Sequence, residues 1–182
     1  MTARCAWAEG DPIMAAYHDT EWGIPIRDGR TLWELLILEG FQAGLSWRTI
    51  LHRRDGFRRA FDQFDPVKIA GYGPDKVEAL MADPGIIRAR AKIDATIGNA
   101  RAYLAMAERG EDFADFLWDF VCGEPQMGDG VNVPASTAAS LAMSKALKAK
   151  GFKFVGATTA YAFMQAAGMV NDHARDCPFR KV

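Results

Sequence analysis

Apolar residues recur at helical spacing along most of this chain, and strand-type alternation is lacking. The segment 88–108 shows the spacing most clearly, because four apolar residues stand at i, i+4, i+7 and i+11: Ile93, Ile97, Ala100 and Leu104. The same pattern continues through 113–121, whereas the one β-type run, 152–155, is too short to found a sheet. The periodicity therefore predicts an all-α fold.

Residues that typically begin and end helices divide the chain into segments. Three helices have an N-cap candidate: Asp11 before Pro12, Ser46, and Asp65 before Pro66. Thr31 and Glu34 fit a capping box that opens a helix at about 32–39, which ends around Gly40. The predicted helices are 12–23, 32–39, 47–54, a short one from 66, 75–82, 88–108, 113–121, 137–149 and 157–167. The segment 124–135, rich in Gly and Pro, is predicted to be a surface loop.

Length and composition bound the class of protein. The 182 residues suit a single domain, and 49% of them are apolar, enough for a sizeable core. The net charge of −1 excludes a strongly basic arm but not nucleic-acid binding, because the local arrangement of charge matters more than the sum. No apolar run approaches the ~18 residues of a membrane span, and the N-terminus lacks a signal-peptide layout. We expect a cytoplasmic monomer with no membrane partner, in which one domain, 1–182, joins its terminal segments, about 1–20 and 168–182, in a small lobe.

Cysteine and histidine form two compact pairs at opposite ends of the chain. Four of the six such residues belong to them: Cys5 and His18 near the start, His173 and Cys177 near the finish. Thiolate and imidazole are ligands that Zn²⁺ prefers, and two of each complete a tetrahedral set, so one structural zinc ion is a candidate. The alternative is two buried thiols and two unrelated histidines, and spacing alone leaves both open. Cys122 is interpreted as a core thiol and His52 as a solvated or phosphate-facing residue.

Aromatic residues that carry polar groups are concentrated in the first quarter of the chain: Trp7, Tyr17, Trp22 and Trp47. Glu39 ends an otherwise apolar helical stretch in the same region. One interpretation is a box that stacks a flat ligand, with one carboxylate to accept hydrogens from its amino group. The other is an aromatic core beside a carboxylate that simply emerges at a helix end.

A glycine-containing turn at 84–87 lies between a short helix and a long one. Backbone N–H groups at the start of the second helix can bind a phosphate there, and three basic residues follow directly: Arg88, Arg90 and Lys92. Two further basic clusters occur at 52–59 and 145–153. Because runs of charge are often only solvated faces, each cluster is weak by itself, and the turn at Gly85 is more informative.

Longer motifs carry a resemblance that spans residues 4–177. They are Cys5-Ala-Trp7, Tyr-His-Asp-Thr-Glu-Trp-Gly at 17–23, Leu-Glu-Gly-Phe-Gln-Ala-Gly-Leu-Ser-Trp at 38–47, Gly-Ile-Ile-Arg at 85–88, Phe-Lys-Phe-Val-Gly at 152–156 and Val-Asn-Asp-His at 170–173. Together they resemble the bacterial 3-methyladenine DNA glycosylase I family. The resemblance implies a helix-hairpin-helix fold with a zinc-binding lobe. It also implies a monofunctional enzyme that excises 3-methyladenine from alkylated double-stranded DNA, releasing the free base and leaving an abasic site.

The resemblance further implies roles for individual residues. The family's zinc ligands match Cys5, His18, His173 and Cys177. Its base-recognition acid matches Glu39, which is also the candidate catalytic group. Its pocket walls match four aromatic residues: Tyr17 and Trp47, which stack on the base, and Trp7 and Trp22, which line or back the pocket. Its DNA contacts match Gly44 and Leu45 as a wedge, and Gly85 and Arg88 at the hairpin. Met14 departs from the family, which often has Tyr at that position.

The implied chemistry accounts for these residue types. Methylation at N3 puts a positive charge on the purine and makes it a good leaving group, so little general-acid help is needed. Specificity then comes from aromatic faces that attract the cation, by roughly 0.5–2 kcal/mol each, and from the charge of Glu39. No aspartate is recognisable from the sequence as a water-activating acid. Two other functions stay open: a zinc-stabilised module that binds damaged bases without catalysis, and a zinc hydrolase with one open metal position.

Overall fold

The computed structural model describes residues 4–181, and this part of the chain is mostly helical. It contains ten α-helices: α1 (Pro12–Thr20), α2 (Gly29–Gln42), α3 (Trp47–His52), α4 (Arg54–Ala60), α5 (Pro66–Ala70), α6 (Pro74–Ala82), α7 (Arg90–Glu108), α8 (Phe113–Trp118), α9 (Ala138–Ala149) and α10 (Ala157–Ala166). Three 3₁₀ turns are interspersed: Ala6–Ala8, Asp62–Phe64 and Asp119–Val121. The helical prediction is confirmed. None of the described helices is both long and apolar enough to cross a membrane.

Capping side chains explain where several helices begin. The predicted N-caps each accept a hydrogen bond from a backbone N–H two or three residues later: Asp11, Ser46 and Asp65. The predicted capping box at the start of α2 is wrong. That helix begins at Gly29, where Asp28 accepts a hydrogen bond from the Thr31 N–H at 2.8 Å. Glu34 takes no part in the cap, because its carboxylate pairs with Arg58.

The helix α2 also continues past Gly40, its predicted end. Close packing explains the glycine at position 40, because a Cβ there would lie 3.3 Å from the Phe154 carbonyl oxygen. The helix ends at Gln42 with Ala43 as its C-cap, and Gly44 follows in a left-handed conformation with φ +78°. The single helix predicted at 47–54 is two helices, α3 and α4.

Two short strands, β1 (Gln126–Met127) and β2 (Val170–Asn171), pair in parallel. The 152–155 run is not one of them, so the prediction that it is the only β-type run is wrong. Part of the segment predicted to be a loop, 124–135, is strand instead. The pairing joins the 124–135 segment, through β1, to β2, which follows α10. The two strands therefore help to position the C-terminal segment.

The central helix of the core is α2. It buries six large residues along nearly its whole circumference: Leu32, Trp33, Leu36, Ile37, Leu38 and Phe41. Helices α3, α7, α8 and α10 pack around it, and α9 packs on α10. Glu39, on the same helix, is therefore held inside the protein. Cys122 is not a core thiol as predicted; it is exposed, after the turn Asp119–Val121, with a left-handed φ of 55°.

Candidate functional site

A cavity of about 730 Å³ lies between the helical body and the two joined ends of the chain. Helices α1 to α3 and the residue before α3 contribute Met14, Tyr17, Glu39, Gln42, Ser46 and Trp47. The remaining lining residues are Cys5, Ala6, Trp7, Trp22, Arg48, Gly130, Val131, Val133, Ala162, Gln165, Asp172 and Ala174. All five residues predicted for the pocket therefore line one cavity. A largely apolar lining with few polar groups is typical of small-molecule sites.

Two pairs of aromatic rings form much of the lining. Tyr17 and Trp47 have ring centroids 5.4 Å apart with 47° between their planes. Trp7 and Trp22 meet edge to face, with centroids 5.0 Å apart. Trp7 also lies 6.5 Å from Tyr17, which links the two pairs into one aromatic surface. The residues come from four different segments, and only the tertiary fold brings them together.

Glu39 is a buried acidic residue of this cavity. Its side chain is 4% exposed, and its Oε2 atom has no hydrogen-bond partner among the described residues. Burial raises its pKa to about 8, because the charged form is poorly solvated there. A buried, unpartnered polar atom costs free energy unless a ligand supplies the missing partner. The orphaned oxygen therefore points to a ligand with a hydrogen-bond donor.

Two hydrogen-bond donors accompany this acceptor in the same cavity. The Trp47 Nε1–H is buried and has no partner among the described residues. Burial, and secondarily the charge of Glu39, raises the pKa of Tyr17 well above its usual value, so its hydroxyl remains protonated. The site thus offers a carboxyl, an indole N–H and a phenol, a set that suits a flat heterocycle carrying both donors and acceptors.

The four predicted metal ligands form a buried cluster, whose ligand atoms all lie within 4.8 Å of one another: Cys5, His18, His173 and Cys177. The Cys177 Sγ atom is 3.4 Å from His173 Nδ1 and 3.5 Å from His18 Nε2. The two imidazole nitrogens are 3.1 Å apart. Bond lengths typical of zinc place tetrahedral N and S ligands about 3.3–3.8 Å apart, so the cluster could hold such an ion.

Surrounding groups orient the two imidazoles of the cluster. His18 directs its other ring nitrogen, Nδ1, to the Asp19 carboxylate at 2.8 Å, and His173 directs Nε2 to the Trp22 carbonyl at 3.0 Å. An oxygen acceptor on the far ring nitrogen is the usual support for a metal-bound histidine. The Ala174 N–H also donates a hydrogen bond to Cys5 Sγ at 3.2 Å.

The metal cluster also supports the aromatic wall. Trp22 packs against His173, with ring centroids 4.7 Å apart, and Trp7 packs against His18 at 5.3 Å. Cys5 itself lines the cavity. Loss of the cluster would therefore loosen one wall of the cavity, although none of the four ligand atoms is needed as an acid or base within it.

An exposed apolar side chain lies beside the end of α2. Leu45 is 42% exposed. It follows Gly44, and a Cβ added to Gly44 would have no other atom within 4 Å. Lys92 donates hydrogen bonds to the carbonyl oxygens of Phe41 at 2.8 Å and Ala43 at 2.6 Å. The predicted phosphate contact of Lys92 is therefore wrong: this ammonium is committed to holding the 43–46 loop.

The turn between α6 and α7 is well packed but offers fewer free N–H groups than predicted. The Gly85 N–H already donates to Asp83 Oδ1 at 2.7 Å. Ile86 is buried, and the turn lies so close to α4 that a Cβ on Gly56 would be 2.3 Å from the Gly85 carbonyl oxygen. Arg88 is exposed and stays a predicted DNA contact.

Much of the predicted basic charge is paired with acids. The pairs are Arg90 with Glu78, Arg54 with Glu21, Arg58 with Glu34, and Lys150 with Glu111. His52 is not free either, because its Nε2 lies 2.7 Å from Asp11 Oδ2. These paired residues carry less weight as a nucleic-acid footprint than the sequence suggested.

Sequence reasoning gave no pocket role to five polar residues that line the cavity: Gln42, Ser46, Arg48, Gln165 and Asp172. Gln165 is on α10 and Asp172 follows β2, and the Gln165 amide donates to Asp172 Oδ2 at 2.8 Å. The motif at 170–173 contains Asp172, but only its neighbour His173 belongs to a recognisable ligand pair. Nothing in the spacing showed that this carboxylate faces the same cavity as Glu39.

The fold and the site define a class: a mostly helical protein with an aromatic, acid-bearing ligand cavity and a potential metal cluster where its two ends meet. The chain belongs to the methyladenine glycosylase family, whose model matches residues 7–181.

Comparison with individual relatives agrees with this membership. The chain is 55% identical over 177 residues to DNA-3-methyladenine glycosylase 1 of Escherichia coli (strain K12), covering 96% of this chain and 95% of that protein. A crystal structure of 3-methyladenine DNA glycosylase I is 54% identical, with a TM-score of 0.95 and coverage of 97% and 98%. A variant of 3-methyladenine DNA glycosylase I, solved in complex with 3-methyladenine, is 35% identical, with a TM-score of 0.92 and coverage of 98% and 97%.

Proposed function

We propose that this chain is a DNA-3-methyladenine glycosylase of base-excision repair, which hydrolyses the N-glycosidic bond of 3-methyladenine in alkylated duplex DNA. The products are the free base and an abasic site. The observation that carries the proposal is the orphaned, buried carboxyl of Glu39 in an aromatic cavity of about 730 Å³. Membership of the family over residues 7–181 supports the same conclusion.

The aromatic residues give the base its binding surface. A ring sandwiched between two others needs about 7 Å between them, twice the carbon–carbon contact distance. Tyr17 and Trp47 are only 5.4 Å apart, so they act as adjoining walls, with the base against one and beside the other. Trp7 and Trp22 back the pocket. The electron-rich faces attract the positive charge of the methylated purine.

Glu39 supplies the polar recognition. In the empty cavity its pKa of about 8 leaves the carboxyl largely protonated at neutral pH. A cationic base entering the cavity lowers that pKa by Coulomb attraction, and the carboxylate then accepts a hydrogen bond from the exocyclic amine. Neutral adenine lacks the charge that drives this ionisation. We assign Glu39 to recognition of the methylated base.

The DNA-facing surface is assigned to the loop that contains Gly44 and Leu45. The target nucleotide must leave the stack, at a cost of a few kcal/mol, and an apolar side chain such as Leu45 fills the space it vacates. We further assign phosphate contacts to the α6–α7 hairpin with Gly85 and Arg88. The α9–α10 turn adjoins the same loop, because Phe154 packs against Gly40. Both helix-turn-helix units fit a helix-hairpin-helix enzyme.

We assign one structural zinc ion to the cluster of Cys5, His18, His173 and Cys177. When bound, it would cross-link the two ends of the chain. The support is the donor set and its geometry: two thiols and two oriented imidazoles, all buried. Four protein ligands leave no open position for a substrate, which argues against a zinc hydrolase. The DNA substrate of such an enzyme lies in the cytoplasm in bacteria, so we propose a cytoplasmic protein.

Release of the free base tests the function directly. Purified protein is incubated with duplex DNA methylated by dimethyl sulfate, and the supernatant is resolved by liquid chromatography. We expect 3-methyladenine to appear with turnover, together with alkali-sensitive abasic sites. Binding of the methylated duplex without release of any base would overturn the glycosylase proposal and favour the non-catalytic binding module. Release by the wild type and loss of release by Trp47→Ala would connect the activity to this cavity.

A further inference from the structure

A second carboxylate lines the cavity, and the base-recognition scheme does not use it. Asp172 is 5% exposed and follows β2. Its Oδ2 atom accepts hydrogen bonds from the Tyr161 hydroxyl at 2.5 Å and the Gln165 amide at 2.8 Å, both on α10. No residue in 4–181 donates a hydrogen bond to its other oxygen, Oδ1. One carboxylate oxygen is thus anchored and the other keeps its acceptor capacity.

The surrounding backbone is built to accommodate this carboxylate. Gly128 follows β1, and its N–H donates to the Asn171 carbonyl at 3.0 Å, which fixes it beside Asp172. A Cβ at Gly128 would lie 1.8 Å from Asp172 Oδ1, so no larger residue fits there. Burial and the hydrogen bond to Asp172 raise the pKa of Tyr161, which keeps its hydroxyl protonated and donating. The Tyr161 hydroxyl and the Gln165 amide thus hold the Asp172 carboxylate in place at the wall of the cavity.

The reaction itself creates a need for a negatively charged group near the sugar. In the substrate the positive charge is on the methylated base; as the C1′–N9 bond breaks, the bonding electron pair leaves with the base, which becomes neutral. The positive charge passes to C1′ and the ring oxygen of the sugar. A carboxylate that contacts only the base stabilises the substrate more than the transition state. Only an interaction that strengthens as the charge moves accelerates the step.

We propose that Asp172 is a catalytic residue that stabilises the positive sugar and orients the attacking water, a role that rests on the function proposed above. Both Asp172 and Glu39 line the cavity, and in this scheme Asp172 serves the sugar while Glu39 binds the base. The free Oδ1 accepts a hydrogen bond from a water molecule, whose oxygen adds to C1′ and whose proton passes to solvent. Tyr161 and Gln165 are positioning residues that hold Oδ2. Carboxylates serve oxocarbenium-like sugars in this way in glycoside hydrolysis.

The test separates binding from chemistry. Wild type, Asp172→Asn and the matched control Asp176→Asn are compared in single-turnover release of 3-methyladenine from methylated duplex DNA, and in affinity for free 3-methyladenine. Asp176 is exposed in the same C-terminal segment and does not line the cavity. We expect Asp172→Asn to lower the release rate on the order of 100-fold, with base affinity within about 3-fold of wild type. We expect Asp176→Asn to match wild type in both measurements.

Because Asp172 precedes a predicted metal ligand, zinc content and melting temperature are measured for each variant. If Asp172→Asn folds and releases base at the wild-type rate, the assignment is overturned. If that variant fails to fold or loses metal, Tyr161→Phe and Gln165→Met decide: each is expected to slow release several-fold at unchanged affinity, and wild-type rates in both overturn the assignment. A wild type that releases no base would overturn the proposed function, and this inference with it.

Discussion

The buried carboxyl of Glu39 should make the stability of this protein fall as the pH rises, and Glu39→Gln should remove that dependence. Burial raises the pKa of this group from 4.5 to about 8. Below pH 4.5 the carboxyl is protonated in both the folded and unfolded states, so no cost arises from its ionisation. Between these two values the unfolded chain releases the proton and the folded chain retains it, so the free energy of unfolding falls by about 1.4 kcal/mol per pH unit. Above about pH 8 the loss is constant.

The accumulated cost is about 3 kcal/mol at pH 7 and about 5 kcal/mol above pH 8. Glutamine has nearly the same size and carries no charge, so the variant avoids this cost. In a protein of this length each kcal/mol shifts the melting temperature by about 2–4 °C. We therefore expect Glu39→Gln to melt about 6–12 °C above wild type at pH 7, and within about 3 °C of it at pH 5.

The measurement is urea unfolding followed by circular dichroism at pH 5, 7 and 9, with a thermal melt at each pH. Both proteins carry the same Cys/His cluster, so its own pH dependence cancels in the difference between them. Glu124→Gln makes the same chemical change at an exposed position and should follow wild type at every pH. Parallel stability curves for wild type and Glu39→Gln across this range would refute the argument, because they would mean that the carboxyl is solvated in the folded state.

Other variants test the remaining assignments. Glu39→Gln should weaken binding of free 3-methyladenine about 2- to 10-fold by calorimetry, because this neutral base makes an ordinary hydrogen bond, worth about 0.5–1.5 kcal/mol; unchanged affinity would leave recognition to the aromatic walls. Leu45→Gly should lower excision from duplex DNA about 10-fold more than from single strands, since only a duplex must be held open; equal losses would remove the wedge assignment. Cys177→Ser should lower zinc content and melting temperature together while activity per folded molecule survives, whereas lost activity with an unchanged melt would indicate a catalytic ion. Gly168→Ala should lower the free energy of unfolding by more than about 3 kcal/mol in urea, because φ is +71° and a Cβ would lie 2.3 Å from the Ile24 backbone; a wild-type midpoint would contradict this.

The first of these variants also illustrates a conflict between stability and function. The site buries the carboxyl group of Glu39 where water cannot solvate it, and its Oε2 atom has no hydrogen-bond donor among the described residues. The cost in the free protein makes the site selective, because a cation relieves the unfavourable burial and a neutral base does not. A variant that is more stable and binds the base less tightly would demonstrate this directly.

Local patterns in the sequence were sufficient for the helical class, for several helix starts and for the types of residue in the site, but not for the two short strands or for every helix boundary. Helical periodicity and N-caps depend on residues three or four positions apart, so Asp11, Ser46 and Asp65 could be assigned without a fold. The rarity of Cys and His made the two terminal pairs conspicuous, and the structure brings their ligand atoms within 4.8 Å. The aromatic residues and Glu39 were recognisable through their motifs.

The tertiary structure decided which of those groups are available to a ligand, because that depends on partners distant in sequence. Lys92 was predicted to bind phosphate, but it reaches two carbonyl oxygens about fifty residues earlier in the chain. Gly40 was predicted to end a helix and instead allows Phe154 to approach. Asp172 acquires its role only because α10 and the Gly128 backbone surround it. Hydrogen-bond partners, desolvation and ion pairing are properties of three-dimensional neighbours, so a linear pattern can name the chemical groups but not their state.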